Sequence, residues 1–246
     1  LDAVKTAVAH AQKLEKEYGK SIKLTMTTNA HSITDETIDW LEETGISIVL
    51  SHDGRPEIHN KMRGNSYDKV TANIKKIIAR RGQNNYYVRG TYSANNLDFT
   101  NDIKHWLRQD MRLLSMEPVV TTDDVDWALH EKDLPRIKEE YHTLAHFYLE
   151  EMQKGKPFEF FHFNLDLTGG PCLPKRLCGC GAGFEYMAVA PNGDLYPCHQ
   201  FVGREEYLLG NIYDGVKRTD IVEKFRQNHI YHKPECASCW ARFYCS

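Results

Sequence analysis

Residues 1–171 of this chain contain no cysteine, although seven cysteines occur in its 246 residues. Cysteine used as a small core hydrophobe would be spread along the whole chain, so this distribution excludes that use. No run is apolar for the length of a membrane span, and nothing in these residues reads as a signal peptide. No charge dominates. The 31 basic and 34 acidic side chains leave a formal net charge of −3, which gives no strong preference for nucleic acid or a membrane surface. There is also no solenoid repeat and no low-complexity linker. With 41% hydrophobic residues the chain can build the core of one domain plus a smaller module. Free thiols in this number fit a reducing compartment, and the expected location is the cytoplasm.

The thiols define the module. Cys172, Cys178, Cys180 and Cys198 fall in one stretch, and Cys236, Cys239 and Cys245 close the chain as Cys-x2-Cys-x5-Cys. Disulfides suit small secreted domains that lack a core, which this chain is not. Zinc could be held by Cys236 and Cys239 with His229 and His232, and iron–sulfur clusters use the same thiolates. Spacing alone leaves those two metals level. Cys178 and Cys180 are two residues apart, so in an extended segment they project the same way, and Gly179 and Gly181 let the backbone bend around a cluster.

In chain order, Val4, Val8, Ala11 and Leu14 recur at helical spacing up to Gly19. Ser21 to Thr28 alternates into a strand ending at Asn29. Thr34 or Asp35 can cap a helix running to Glu43, with Gly45 beyond it. A strand from Ile46 to Leu50 breaks at Ser51-His52-Asp53-Gly54. The cycle repeats as a helix over Tyr67–Arg81, a strand over Tyr86–Ser93, a helix over Asp102–Arg108 and a strand over Met111–Val120. Helix and strand alternation of this kind predicts a parallel sheet covered by helices. Asp123–Leu129 and Pro135–Gln153 read as further helices, and Phe158–Leu167 as a strand. The expected domains are 1–167 and 168–246.

Strands that all point one way gather polar residues on one rim, where ligands bind. Those positions are Asn29, Ser51 with Asp53, Arg89 with Thr91, and Glu117. Each has an ordinary alternative. Asn29, Ser51 and Asp53 are common turn formers, Arg89 could pair with a structural carboxylate, and Glu117 before Pro118 could simply finish a strand. His162 reads as a packed or solvent-facing strand residue.

The residues around the thiols decide between the metals. Cys180, twelve residues, Gly193, four residues and Cys198, followed by Cys236-x2-Cys239-x5-Cys245, resembles the opening of the SPASM extension of radical SAM enzymes. Gly-Pro-Cys at 170–172, Lys-Arg-Leu-Cys-Gly-Cys-Gly-Ala-Gly at 175–183, Tyr-Pro-Cys-His-Gln-Phe at 196–201 and Cys-Trp-Ala-Arg-Phe-Tyr-Cys-Ser at 239–246 are most similar to the thioether-forming maturases of SCIFF peptides. The implied fold is a partial (β/α)6 barrel, with its third to sixth strands in this chain, followed by the SPASM module. The Cys-x3-Cys-x2-Cys signature of radical SAM enzymes, their glycine-rich stretch and the last SPASM cysteines do not occur in these residues. The expectation is therefore a fragment lacking its N-terminal part and inactive on its own.

For the complete protein the resemblance implies a radical SAM oxidoreductase that joins a cysteine sulfur to an α-carbon in a cysteine-rich precursor peptide. A reduced flavodoxin or ferredoxin-type protein would donate electrons. Ser51 and Arg89 would hold the methionyl carboxylate of S-adenosylmethionine, with Asn29 and Asp53 at the same cofactor site. Auxiliary [4Fe–4S] clusters would use Cys198 with two of Cys172, Cys178 and Cys180, and separately Cys236, Cys239 and Cys245. No catalytic residue is assigned. The position after Cys198 is a basic aspartate in the sulfatase-maturing relatives and is His199 here. The alternatives are another SPASM maturase, including a sulfatase-maturing one, or a non-catalytic zinc-binding module.

Overall fold

The computed structural model describes residues 1–164 and 179–242. The expected ligands Cys172, Cys178 and Cys245 lie outside these residues, as does the end of the strand expected over 158–167. The chain divides into two compact units, Leu1–Asn164 and Leu165–Ser246.

In the first unit, helix α1 (Asp2–Tyr18) ends at Gly19, and β1 (Thr25–Thr28) is followed by α2 (Asp35–Thr44). The Thr34 hydroxyl accepts from the Thr37 amide, which satisfies one of the free N–H groups at the start of α2. Then come β2 (Ser47–Ser51), α3 (Pro56–Arg63), α4 (Tyr67–Arg81) and β3 (Tyr86–Tyr92). The unit closes with α5 (Thr100–Arg108), β4 (Leu113–Pro118), α6 (Leu134–Gln153) and β5 (Glu159–Phe160). The five strands lie in sequence order, and every pair is parallel. The expected α/β architecture is therefore present, and the second unit adds a separate four-stranded antiparallel sheet.

Alternation along the strands assigns the two faces of the parallel sheet. Ile48, Leu50, Tyr86, Val88, Leu114, Met116 and Phe160 are buried, and they pack with Ile38, Leu41, Ile74, Ile77, Ile103, Trp106 and Leu144 from the helices. The opposite face carries Ser47, Val49, Ser51, Tyr87, Arg89, Thr91, Ser115 and Glu117. Parallel sheets are normally covered on both faces. A polar, partly exposed second face is the arrangement of strands that curve round the inside of a barrel.

Three expectations are corrected. Asp123–Leu129 forms turns rather than a helix; its Trp127 carbonyl accepts from the Ala94 amide, which commits the segment to the loop after β3. The strand begun at Phe158 pairs only through Glu159 and Phe160 before a 3-10 turn over Phe161–Phe163. The first strand starts at Thr25, since β2 supplies partners only from Ser47 onward and the Ile22 amide is used by Glu15. Helix α3 was not foreseen.

The turn from β2 into α3 is stapled by buried polar groups. His52 Nδ1 accepts from Trp106 Nε1 at 2.9 Å and from the Gly54 amide at 3.1 Å, so Nε2 carries the proton and donates to Thr71 Oγ1 at 3.0 Å. His59 Nδ1 accepts from the Asp53 amide at 3.2 Å, while its Nε2 lies 3.0 Å from Ser66 Oγ. Gly54 holds φ at 90°, and a Cβ there would run into Asp102. Asp102 in turn accepts from both the backbone and the side chain of Arg55. The backbone that ends β2 is thereby fixed from several sides.

Both histidines are fully buried and neutral. Burial, followed by repulsion from His59, His105 and Arg63, pushes His52 down to about 2. Burial also takes His59 to about 4, with Asp53 opposing the change and Arg63 adding to it. In the unfolded chain both would titrate near 6.5, so between that pH and the folded values the unfolded state binds more protons. Stability is then full above about pH 6.5 and falls as the pH drops toward 4, by on the order of 2 to 4 kcal/mol by pH 5 for the two together. Urea midpoints at pH 7.5 and pH 5 measure this, and His52→Gln with His59→Gln should flatten the profile.

Candidate functional site

The sheet register builds the polar face of the first unit. Ser51 pairs with Arg89, and Arg89 with Ser115. Thr28 pairs with Leu50, so Asn29, one step beyond β1, stands level with Ser51. Asn29, Ser51 and Arg89 therefore form a row across three neighbouring strands. Asn29 is exposed and closes a turn by accepting from the His31 amide at 3.2 Å. The Arg89 side chain is half exposed, with a guanidinium nitrogen 3.6 Å from Glu117 Oε1.

Glu117 Oε1 also accepts from Ser115 Oγ at 2.9 Å and lies 3.2 Å from His162 Nε2. His162 holds this carboxyl down at about 2 against the opposing effect of burial, with help from Ser115 and Arg89. Val49, Tyr87 and Phe161 complete a cavity of about 160 Å³ lined also by Arg89, Ser115 and Glu117. Tyr87 and Phe161 meet edge to face at 5.8 Å. One guanidinium beside one fixed carboxylate, on an apolar wall, suits a ligand carrying a carboxylate and a hydrogen-bond donor.

Asp53 does not join the row. Its side chain is 3% exposed and paired with Arg63 at 2.6 Å, and its Oδ1 accepts from the Thr91 amide at 3.1 Å. The carboxylate thus ties α3 to β3 beneath the rim.

In the second unit, β6 (Ala188–Val189) and β7 (Asp194–Tyr196) form a hairpin, and β7 pairs in turn with β8 (Gly210–Asn211) and β8 with β9 (Gly215–Val216). Helix α7 (Thr219–Arg226) covers Leu195 and Leu209 through Ile221. Ala188 pairs with Tyr196, and beyond that pair the chain leads to Tyr186 on one side and Cys198 on the other. The loop carrying Cys180 is folded back onto the same place. Amides 184, 185 and 186 turn toward the Gly181 carbonyl, and the Gly183 amide is shared by the Tyr186 and Pro197 carbonyls at 2.9 and 3.0 Å. Gly183 makes this possible with φ at 83°, close against Pro197 and Phe225.

The Tyr186 hydroxyl ties this loop to Cys180. Tyr186 Oη donates to Cys180 Sγ at 3.9 Å, and burial followed by contact with Cys198 and Cys180 pushes that phenol up. Cys198 is buried; its Sγ also accepts from the Gln200 amide at 3.4 Å and lies 3.7 Å from His199 Nδ1. Cys236 and Cys239 sit one turn apart, the Cys239 amide donating to the Cys236 carbonyl at 3.2 Å. His229 and His232 contact each other at 3.1 Å. Among the described residues no three His, Cys, Asp or Glu side chains converge as a metal site. The described thiols supply Cys180 and Cys198 in one part of the unit and a Cys-x2-Cys turn in another, a soft donor set that fits iron–sulfur ligation.

Residues 178–240 match the SPASM iron–sulfur cluster-binding domain. The described SPASM segment thus contains Cys180, Cys198, Cys236 and Cys239. The chain is 24% identical over 230 residues to a cysteine-type anaerobic sulfatase-maturating enzyme of Clostridium novyi, covering 86% of this chain and 59% of that one. It is 27% identical over 235 residues to a serine-type anaerobic sulfatase-maturating enzyme of Bacteroides thetaiotaomicron, covering 82% of this chain and 54% of that one. The chain therefore spans somewhat over half the length of these curated relatives. Among solved structures, the fold matches anSMEcpe with bound AdoMet at a TM-score of 0.74 and 21% identity, over 94% of this chain and 65% of that one. That likeness shows the fold. Among the described residues no helix is long and apolar enough to cross a membrane.

Two functional features escape the reading of the sequence. The Ser115–Glu117–His162 cluster depends on a turn after β5 that alternation does not reveal. Tyr186 could have been found, because the Asn192-Gly193 hairpin turn brings the residues before β6 alongside those that follow β7.

The Asp53–Arg63 pair makes a direct prediction. Arg63→Ala leaves a buried carboxylate with only a backbone amide, and should lower stability by about 3 kcal/mol. Asp53→Asn removes the charge itself and should cost less. Urea midpoints at unchanged slope measure both.

Proposed function

We propose that this chain works as part of a radical SAM, SPASM-type maturase that forms a thioether between a cysteine sulfur and an α-carbon of a cysteine-rich precursor peptide, the SCIFF type. The observation that carries the reading is the match of residues 178–240 to the cluster-binding domain behind a parallel sheet with Ser51 and Arg89 in register. In this reading residues 1–167 present the cofactor face and 168–246 the cluster module. The maturase acts in the cytoplasm and takes electrons from a reduced flavodoxin or ferredoxin-type donor.

The residues have distinct tasks. Arg89 binds the methionyl carboxylate of S-adenosylmethionine through two parallel charge-assisted bonds, Ser51 adds a third, and Asn29 borders the same site. Asp53 contributes by holding the strand ends in place. Cys198 with two of Cys172, Cys178 and Cys180 holds one auxiliary [4Fe–4S] cluster, and Cys236, Cys239 and Cys245 hold ligands of another. Bound cofactors supply one-electron chemistry that removes hydrogen from an unactivated carbon, which no side-chain acid or base can do.

Sulfatase maturation is the second reading, favoured by the two relatives above. His199, standing where the sulfatase-maturing pattern has an aspartate base, argues for the first. The test is the full-length protein, purified anaerobically and given a cysteine-rich precursor peptide or a sulfatase-derived peptide. A loss of two hydrogens from the first by mass spectrometry is the expected result. Modification of the sulfatase peptide alone would select the second reading, and no change in either would defeat both. Arg89→Ala should weaken S-adenosylmethionine binding about 10- to 100-fold, as expected for a lost bond between charged groups.

A further inference from the structure

We propose that the Tyr186 hydroxyl is a positioning donor to the sulfur of Cys180 and sets the reduction potential of the cluster that Cys180 and Cys198 hold. The inference rests on the cluster-binding role proposed for these cysteines, and goes beyond it by giving a non-ligand residue control over the cluster's redox behaviour.

Three independent features of the backbone put the hydroxyl there. The β6–β7 ladder ends at Ala188 and Tyr196, so the chain runs on to Tyr186 from one strand and to Cys198 from the other. The Gly183 amide, bonded to the carbonyls of both Tyr186 and Pro197, locks the 179–186 loop to the strand leading into Cys198. The turn around the Gly181 carbonyl then carries Tyr186 back over Cys180, where Oη donates to Sγ at 3.9 Å. The Gln200 amide approaches Cys198 Sγ from its own short turn at 3.4 Å, so one backbone and one side-chain donor serve this pair of sulfurs.

Thiolate sulfurs on an iron–sulfur cluster share its negative charge, and that charge grows when the cluster accepts an electron. A hydrogen bond to such a sulfur therefore stabilises the reduced form more than the oxidised form and raises the potential. The Gln200 amide cannot be removed by a side-chain substitution, but the phenol can. Tyr186→Phe keeps the ring and its packing and deletes only the donor.

The experiment is spectroelectrochemical titration of the anaerobically reconstituted protein, wild type against Tyr186→Phe, with iron and sulfide analysis and electron paramagnetic resonance. Tyr213→Phe serves as the control, since Tyr213 is 87% exposed. The expected result is unchanged iron and sulfide content, with one component of the titration harder to reduce by up to tenfold in its reduction equilibrium, which is up to about 59 mV for one electron. Tyr213→Phe should match wild type. An unchanged potential and spectrum in Tyr186→Phe would overturn the proposal while leaving the cluster reading intact. Loss of iron from a Tyr186→Phe protein that still folds by circular dichroism would overturn it too, by making the residue a support of the site. Wild-type protein that takes up no iron would overturn the reading beneath it.

Discussion

The first unit is shaped by an imbalance between the two faces of one sheet. Helices bury a continuous layer of Ile, Leu, Val, Met and aromatic side chains on one side. On the other, each strand presents a polar or mixed row that no helix of the unit covers. A parallel sheet left in this condition loses the hydrophobic gain of a second layer. The uncovered face is the cost of keeping Ser51, Arg89, Ser115 and Glu117 available at a common level.

Holding those residues in place requires rigid strand ends, and the buried polar network beneath the rim provides it. His52 is tied to Trp106 and Thr71, Asp53 to Arg63 and Thr91, and Asp102 to Arg55. Such a network is costly if any member loses its partner, which makes it specific as well as stabilising. It also explains why an acidic residue two positions from Ser51 serves the scaffold. The second unit solves the corresponding problem with little core, using a short hairpin, a shared Gly183 amide and a tight turn to bring a phenol onto Cys180 beside the strand that leads into Cys198.

Much of this could be read before the structure. Helix α4 and the capped α2 follow directly from apolar spacing and from Thr34 and Gly45. The pairing of Ser51 with Arg89 follows from strand order once the sheet is known to be parallel. Helix α3 was hidden because Ser51-His52-Asp53-Gly54 looks like a plain break, though Pro56 at its start and Gly64 at its end mark it. The pairing of Asp53 with Arg63 was hidden for the same reason, since Arg63 lies on that helix. Asp123–Leu129 carries helical spacing, yet its backbone is claimed by a neighbouring loop, a contact that local pattern cannot express. The thiols were legible as a set, while the way Cys180 returns to Cys198 depends on positive-φ glycines in the intervening loop.

Iron and inorganic sulfide on these sulfurs are what the proposed chemistry requires. Anaerobic reconstitution followed by iron, sulfide and zinc analysis, with Cys198→Ser alongside, addresses this most directly. The prediction is a brown protein containing iron and sulfide in near-equal amounts and little zinc, with a clear loss of both in Cys198→Ser. A colourless protein that retains zinc, with iron uptake no different between wild type and Cys198→Ser, would contradict it.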